Sequence, residues 1–263
     1  MGFFDRLGDR IEQTDSMLCV GLDPDTDRLP SHLDGFDLPR WAFNRRIIDA
    51  THDLVAAYKP NAAFYEDADG WRSLEETIAY AHGKDVPVIL DAKRADIGNT
   101  TRQYARQLDR VDAITVNPYL GRDAIEPFLQ RSDAGVFVLC RTTNPGASDV
   151  QELALAEGDQ LYERVATLAD LWNQRNNIGL VVGATTPDEL EAVRDLVPEL
   201  PFLVPGVGAQ GGDVEAAVTY GCVDGVGLIN ASRSVIFAGE GETFDKAARS
   251  AAKRLRDRLN EYR

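Results

Sequence analysis

The chain has 263 residues, 44% of them hydrophobic, and a formal charge of −15 at neutral pH. That length suits one domain or two and matches the roughly 250 residues of a single α/β barrel, while the hydrophobic share excludes wholesale disorder. Strong acidity disfavours a broad nucleic-acid surface, because phosphates are repelled, but it leaves room for a small anion in a local basic pocket.

Taken in chain order, the opening M-G-F-F-D-R-L-G-D-R lacks the apolar stretch of a secretory signal, and Arg6 breaks the myristoylation pattern. No apolar run reaches the ~18 residues of a membrane span, so a soluble cytoplasmic protein is expected. Short runs rich in Val, Ile and Leu then recur at 17–23, 56–61, 86–94, 113–118, 135–142, 179–184, 201–207 and 224–230. Their hydrophobicity is continuous, as in parallel strands covered on both faces. Between them lie helical patterns with start signals. Ser73 and Glu76 have capping-box spacing, and Thr186, Pro187 and Glu189 supply an N-cap, an N1 proline and an N3 acid. Near the end, Phe244, Ala248, Ala251, Leu255 and Leu259 form one apolar stripe. The pattern predicts an α/β protein of one domain over 1–263, a single (β/α)8 TIM barrel. Longer connections at 24–40 and 143–157 follow strand C-termini, where barrel enzymes carry their loops.

Three scattered cysteines (Cys19, Cys140, Cys222) give neither a disulfide framework nor a zinc signature. His32, His52 and His82 are equally dispersed, so a histidine metal site or a Ser-His-Asp triad is not expected. The polar residues at predicted strand ends are more informative: Asp23, Lys59, Asp91 with Lys93, Asn117, Arg141 and Thr143. Side chains two apart on a strand share a face, so Asp91 and Lys93 point the same way. Charges in an apolar strand are costly unless paired or used. With Asp96 three residues further on and Lys59 on the adjacent strand, they form an alternating-charge cluster. A salt-bridge array at the barrel rim is the structural alternative. Arg94 faces the other way, towards solvent or a helix.

P-G-V-G-A-Q-G-G-D at 205–213 contains G-x-G-x-x-G in Gly206, Gly208 and Gly211. It follows the seventh strand, and the dinucleotide fingerprint belongs to the first βα turn. Loops after strands seven and eight of a barrel commonly bind phosphate through free backbone N–H groups. Arg233, just past strand eight, adds a permanent cation with two donors.

With these motifs in place, the chain resembles the orotidine 5′-phosphate decarboxylase family, specifically its longer bacterial and archaeal subgroup. The matches are G-L-D-P-D at 21–25, Y-K-P-N at 58–61, D-A-K-R-A-D-I-G-N-T at 91–100, T-N-P-G at 143–146, P-G-V-G-A-Q-G-G-D at 205–213 and N-A-S-R at 230–233. The D-x-K-x-x-D pattern is shared with magnesium-dependent sugar-phosphate lyases and decarboxylases of the wider suprafamily, but those carry an acid where this chain has Lys59. The resemblance implies a Lys59–Asp91–Lys93–Asp96 network around C6 of the pyrimidine, with Lys93 as proton donor and no metal or other cofactor. It implies a homodimer in which Asp96 and Thr100 cross the interface. Asp23 and Thr100 would bind ribose hydroxyls and Thr143 the pyrimidine edge, while Gln210 and Arg233 bind the phosphate within the Gly208–Gly211 loop. Thr143 stands where the family often has Ser, so its methyl could alter closure over the base. The rival readings are a magnesium-dependent lyase using Asp91 and Asp96 as ligands, and a nonenzymatic nucleotide-binding barrel.

The charged residues are chosen unevenly. Five lysines stand against 23 arginines, and 28 Asp against 15 Glu. Short carboxylates stay hydrated and mutual repulsion keeps the surface soluble, as a salt-rich cytoplasm favours; a genomic bias towards Arg codons is the alternative. Folding and dimerisation are expected to require high KCl, which screens the repulsion. Full activity and an unchanged melting temperature in dilute buffer would show the bias to be incidental.

Overall fold

The computed structural model describes residues 1–156, 158–207, 211–222 and 224–263. Eight parallel strands alternate with helices: β1 (Leu18–Leu22), β2 (Ala57–Pro60), β3 (Ile89–Arg94), β4 (Ala113–Val116), β5 (Gly135–Arg141), β6 (Ile178–Val182), β7 (Phe202–Pro205) and β8 (Leu228–Ala231). The hydrogen-bonded order is β2-β1-β8-β7-β6-β5-β4-β3. Its two ends meet through isolated parallel bridges, Tyr58 to Val88 and Asn61 to Asp91, completing the (β/α)8 barrel. Every residue of β1 and of β6 is buried, which explains why these runs are apolar throughout.

Two apolar regions hold the barrel together. The larger lies between the strands and the surrounding helices. The smaller takes one residue from each strand: Cys19, Ala57, Ile89, Ala113, Phe137, Val181, Leu203 and Leu228. Ala56, just before β2, joins them, and so do Phe3, Leu7 and Ile11, all on the helix Phe3–Thr14, which precedes the strands and is not among the elements predicted above. The Phe3 and Phe4 rings meet Phe137 edge-on, with centroids 6.1 and 5.6 Å away. Arg6 donates to the Asp133 carbonyl just before β5. This helix therefore plugs the N-terminal mouth and leaves the C-terminal mouth open.

Helix starts are less regular than the sequence implies. The Ser73–Glu76 capping box does not form. The helix runs Ala68–His82 from an Asp67 cap that accepts from the Gly70 N–H, while buried Ser73 bonds back to the Asp69 carbonyl. Asp67 lies nearly two turns earlier and took the role first. Thr186 and Pro187 do begin the helix Pro187–Leu196, but the Thr186 side chain makes no cap bond, and Glu189 turns to Arg141 instead. In the last helix, Phe244–Asn260, the expected stripe packs inward, with Leu255 only partly buried. Among the described residues no helix is long and apolar enough to cross a membrane.

Because Phe3 is fully enclosed at the mouth opposite the open strand ends, Phe3→Ala should cost about 3–5 kcal/mol of stability. Denaturant melts would read that loss, while kcat of the surviving fold at 25 °C should stay unchanged.

Candidate active site

At the C-terminal mouth a cavity of about 440 Å³ is floored by Lys59, Asp91, Lys93 and Thr115. Its walls are apolar on one side, with Leu139, Val181, Leu203 and Pro205, and polar on the other, with Thr142, Thr143, Asn144 and Gln151. Parallel register places Lys59 on β2 opposite Gly21 on β1, and the Asn61–Asp91 bridge sets Lys59 beside β3. The Lys59 ammonium lies 2.8 Å from Asp91 Oδ2 and the Lys93 ammonium 2.6 Å from Asp91 Oδ1. The Thr115 hydroxyl also donates to Oδ1, at 2.9 Å. The Lys59 and Asp91 side chains are only 7% and 11% exposed, so this pair is shielded from solvent, whereas Lys93 is 46% exposed and can reach a ligand.

Lys93 reaches Asp91 by a different route from simple strand alternation. Its φ is +49°, and the β3–β4 register slips between Leu90 and Arg94. The chain bulges at the lysine and turns its ammonium back over Asp91.

Electrostatics follow from this geometry. Burial pushes the Asp91 carboxyl up, but Lys59 and then Lys93 outweigh it and hold the group well below its ordinary value. Burial likewise lowers Lys59, yet Asp91 and Asp23 more than reverse it, so Lys59 stays protonated. Cys19 and Cys140 are buried as expected, and burial raises the Cys19 thiol to about 12, leaving it inert.

Asp23 follows β1. Its Oδ2 accepts from the Ser232 hydroxyl at 2.7 Å, and its Oδ1 is buried with no partner among the described residues. Ser232 adjoins exposed Arg233, which opens the short helix Arg233–Ile236 after β8. Pro205, at the start of the glycine loop, pairs with Asn230 on β8, so the two segments leave neighbouring strands side by side. Gly211 has φ +73°, a left-handed conformation suited to glycine. Gly208 and Gln210 lie outside the described residues.

The loop after β5 is tied down by Arg141, whose role is structural. Its guanidinium is paired with Glu189 and with Glu152, 2.6 Å each. Gln151 grips Thr142 twice, accepting from its N–H at 2.9 Å and donating to its hydroxyl at 2.8 Å. Thr143 Cγ2 fills the space that Gly183 leaves, and a Cβ on Gly183 would come within 2.5 Å of it. The methyl that distinguishes Thr143 from Ser thus has a prepared seat. Arg94 turns away, pairing with Glu66 and lying over the Tyr104 ring.

Asp96 and Thr100 are not brought into their own chain's cavity. Among the described residues Asp96 accepts only from the Ile97 N–H, and Thr100 is exposed on the helix Gly98–Ala105; neither lines the cavity. Nearby Ile97 and Tyr119 are 65% and 81% exposed. Sequence reasoning missed Thr115, Ser232 and Gln151. For Thr115 a signal existed: it is the one polar residue inside the run A-I-T-V. Among the described residues no three His, Cys, Asp or Glu side chains gather as a metal ion would need.

Comparison with known proteins agrees with the motifs. A family model described as orotidine 5′-phosphate decarboxylase / HUMPS matches residues 16–247. The chain belongs to this family. It is 69% identical to the orotidine 5′-phosphate decarboxylase of Halorubrum lacusprofundi and 67% identical to that of Haloarcula marismortui, with all of both chains covered in each case. Both organisms are halophiles, in keeping with the Asp-rich, Lys-poor composition. Among solved structures, the Leishmania donovani OMP decarboxylase superposes with a TM-score of 0.86 at 41% identity, covering 100% of this chain and 99% of that one.

For this decarboxylase-family site, Asp91→Asn should remove the anion that offsets two ammonium groups. A loss of about 3–5 kcal/mol is expected, because Lys59 is left buried and unpaired, together with a fall in kcat of about 10²–10³ or more. The wild-type Asp91 contribution is complete above its ordinary value of 3.8 and is lost as pH falls through the lower folded value. That of Lys59 is complete below 10.5 and is lost as pH rises through its raised value. Urea melts should therefore show a constant deficit from about pH 5 to 9, shrinking in acid.

Proposed function

We propose that the chain decarboxylates orotidine 5′-monophosphate to uridine 5′-monophosphate and CO2, the last step of de novo UMP synthesis. In this reading residues 1–263 act as one cytoplasmic decarboxylase domain without a cofactor. The observation that carries it is Asp91 held between two ammonium groups, Lys59 and Lys93, on the floor of the cavity.

Breaking the bond from C6 to the carboxylate leaves an electron pair in the ring plane, where the π system cannot delocalise it. What remains is electrostatic stabilisation by charges fixed in advance. Asp91 repels the substrate carboxylate, and that repulsion falls as neutral CO2 departs. The Lys93 ammonium stabilises the developing carbanion and then delivers its proton to C6, leaving a neutral amine that solvent reprotonates. Lys59 keeps Asp91 ionised and fixed.

The remaining assignments follow the cavity outward. The Oδ1 of Asp23, unpartnered among the described residues, suits a ribose hydroxyl. Seated on Gly183, the Thr143 side chain suits the pyrimidine edge. Arg233 with Gly208, Gln210 and Gly211 would take the phosphate, whose binding energy can drive loop closure far from the reacting carbon. Asp96 and Thr100 would come from a second copy in a homodimer, a reading supported by their absence from the lining of their own chain's cavity. A magnesium-dependent lyase fits poorly, since both Asp91 oxygens are already taken by ammonium groups.

Loss of orotidylate absorbance with chelator-treated protein tests the reaction, and a mixing experiment tests the shared site. Lys93→Ala and Asp96→Ala homodimers should each be nearly inactive. When equal amounts exchange subunits, about half the dimers are mixed, and each mixed dimer gathers both lesions in one site and leaves the other intact. Activity should return to about one quarter of wild type. No recovery, with exchange confirmed by mass spectrometry, would place Asp96 in its own chain's site.

A further inference from the structure

The β3–β4 ladder pairs Leu90 with Ile114 and then Arg94 with Val116, so Asp91, Ala92 and Lys93 stand opposite a single residue, Thr115. Lys93 has no partner in that ladder. Its backbone N–H donates instead to the Thr115 hydroxyl at 2.9 Å. A hydroxyl has one proton to give, and with an N–H arriving at its oxygen, that proton is directed to Asp91 Oδ1, also at 2.9 Å. Thr115 is 1% exposed, so water cannot substitute for either bond.

We propose that Thr115 is a positioning residue for the proton donor: its hydroxyl holds the Lys93 backbone in the bulge and fixes the Asp91 carboxylate beneath the Lys93 ammonium. The inference rests on the decarboxylase reading above and deepens it. The bulge gives Lys93 a left-handed backbone, a conformation that persists only where its surroundings over-determine it. Thr115 is the side chain that meets the displaced N–H. The same hydroxyl shares Asp91 Oδ1 with the Lys93 ammonium, which lies 2.6 Å away. One side chain from β4 therefore sets both the origin of the lysine and the anchor of its tip.

Thr115→Val keeps the shape and removes both hydrogen bonds, leaving an amide and a carboxylate oxygen short of partners. Thr115→Ser keeps the hydroxyl. In the full-length protein, kcat and KM for orotidylate would be measured with the rate at which UMP in D2O acquires deuterium at C6, which reads proton transfer from Lys93 without the decarboxylation step. For the Val variant kcat should fall about 10- to 100-fold, the range for losing a buried hydrogen bond to a charged group. C6 exchange should fall in parallel and KM should change little. The Ser variant should recover both rates. Wild-type kcat and exchange in the Val variant would overturn the proposal. So would a Ser variant as impaired as Val, which would make the methyl's packing the cause. If the Val variant does not fold, Thr115→Ala against Thr115→Ser makes the same comparison. Wild-type protein that neither decarboxylates orotidylate nor exchanges C6 would instead overturn the functional reading, and the role of Thr115 with it.

Discussion

The carboxylate of Asp91 accepts hydrogen bonds from three adjacent strands: from Lys59 on β2, from Lys93 on its own strand β3, and from Thr115 on β4. Its position is also the place where the barrel is most thinly joined. Between β2 and β3 the ladder shrinks to two isolated bridges, one of which involves Asp91 itself. The Lys59–Asp91 ion pair therefore spans the seam of the barrel as well as the floor of the cavity. A buried ion pair is weak evidence for net stabilisation, because desolvation offsets much of the attraction. Its position at the open end of the strands accounts for it better than stability does, since an apolar pair would close the seam equally well and carry no charge into the site.

The rest of the structure serves to keep that charge arrangement fixed. The N-terminal helix fills the far mouth, so the cavity opens in one direction only. Arg141, buried at the end of β5, joins the loop over the site to the helix that follows β6. Gly183 accepts the Thr143 methyl and thereby restricts where its hydroxyl points. Each of these is a packing or pairing contact beyond the charged cluster. Together they provide the preorganisation on which an electrostatic mechanism depends, since dipoles that must reorient during reaction lose most of their effect.

Much of this was legible in the sequence, for identifiable reasons. Strands buried on both faces write continuous apolar runs, and β1, β2 and β5 lie within the predicted windows. β6 begins one residue before its window, at Ile178, and β8 ends one residue past its own, at Ala231. Charged residues at the ends of such runs stood out because nothing in a core explains them, which is how Lys59, Asp91 and Lys93 were found. The argument from strand alternation reached the right pairing by the wrong route, because a bulge leaves no mark in residue types. Ser73 misled because a cap is decided by which acceptor begins the helix, and Asp67 came first. Thr115 was visible as the one polar residue of A-I-T-V, but it sits inside its run and not at the end, where the charged residues stood out. Asp96 and Thr100 show a different limit: the motif singled them out, and yet neither lines the cavity of its own chain.

Lys93 stands apart from the other non-glycine residues with positive φ among the described residues. Those are Asp15, Asp85, Asn176 and Asp224, all of the types that tolerate a left-handed backbone. Lysine has no such tolerance, so every copy of the chain folds against a small local preference at a residue on the floor of the cavity. Asparagine or glycine at 93 would relieve the strain and abolish the ammonium together. A lineage selected for stability alone would therefore drift away from lysine here. On the reaction proposed above, selection would hold lysine here against that drift, and a duplicated copy freed from it would be expected to lose this residue early.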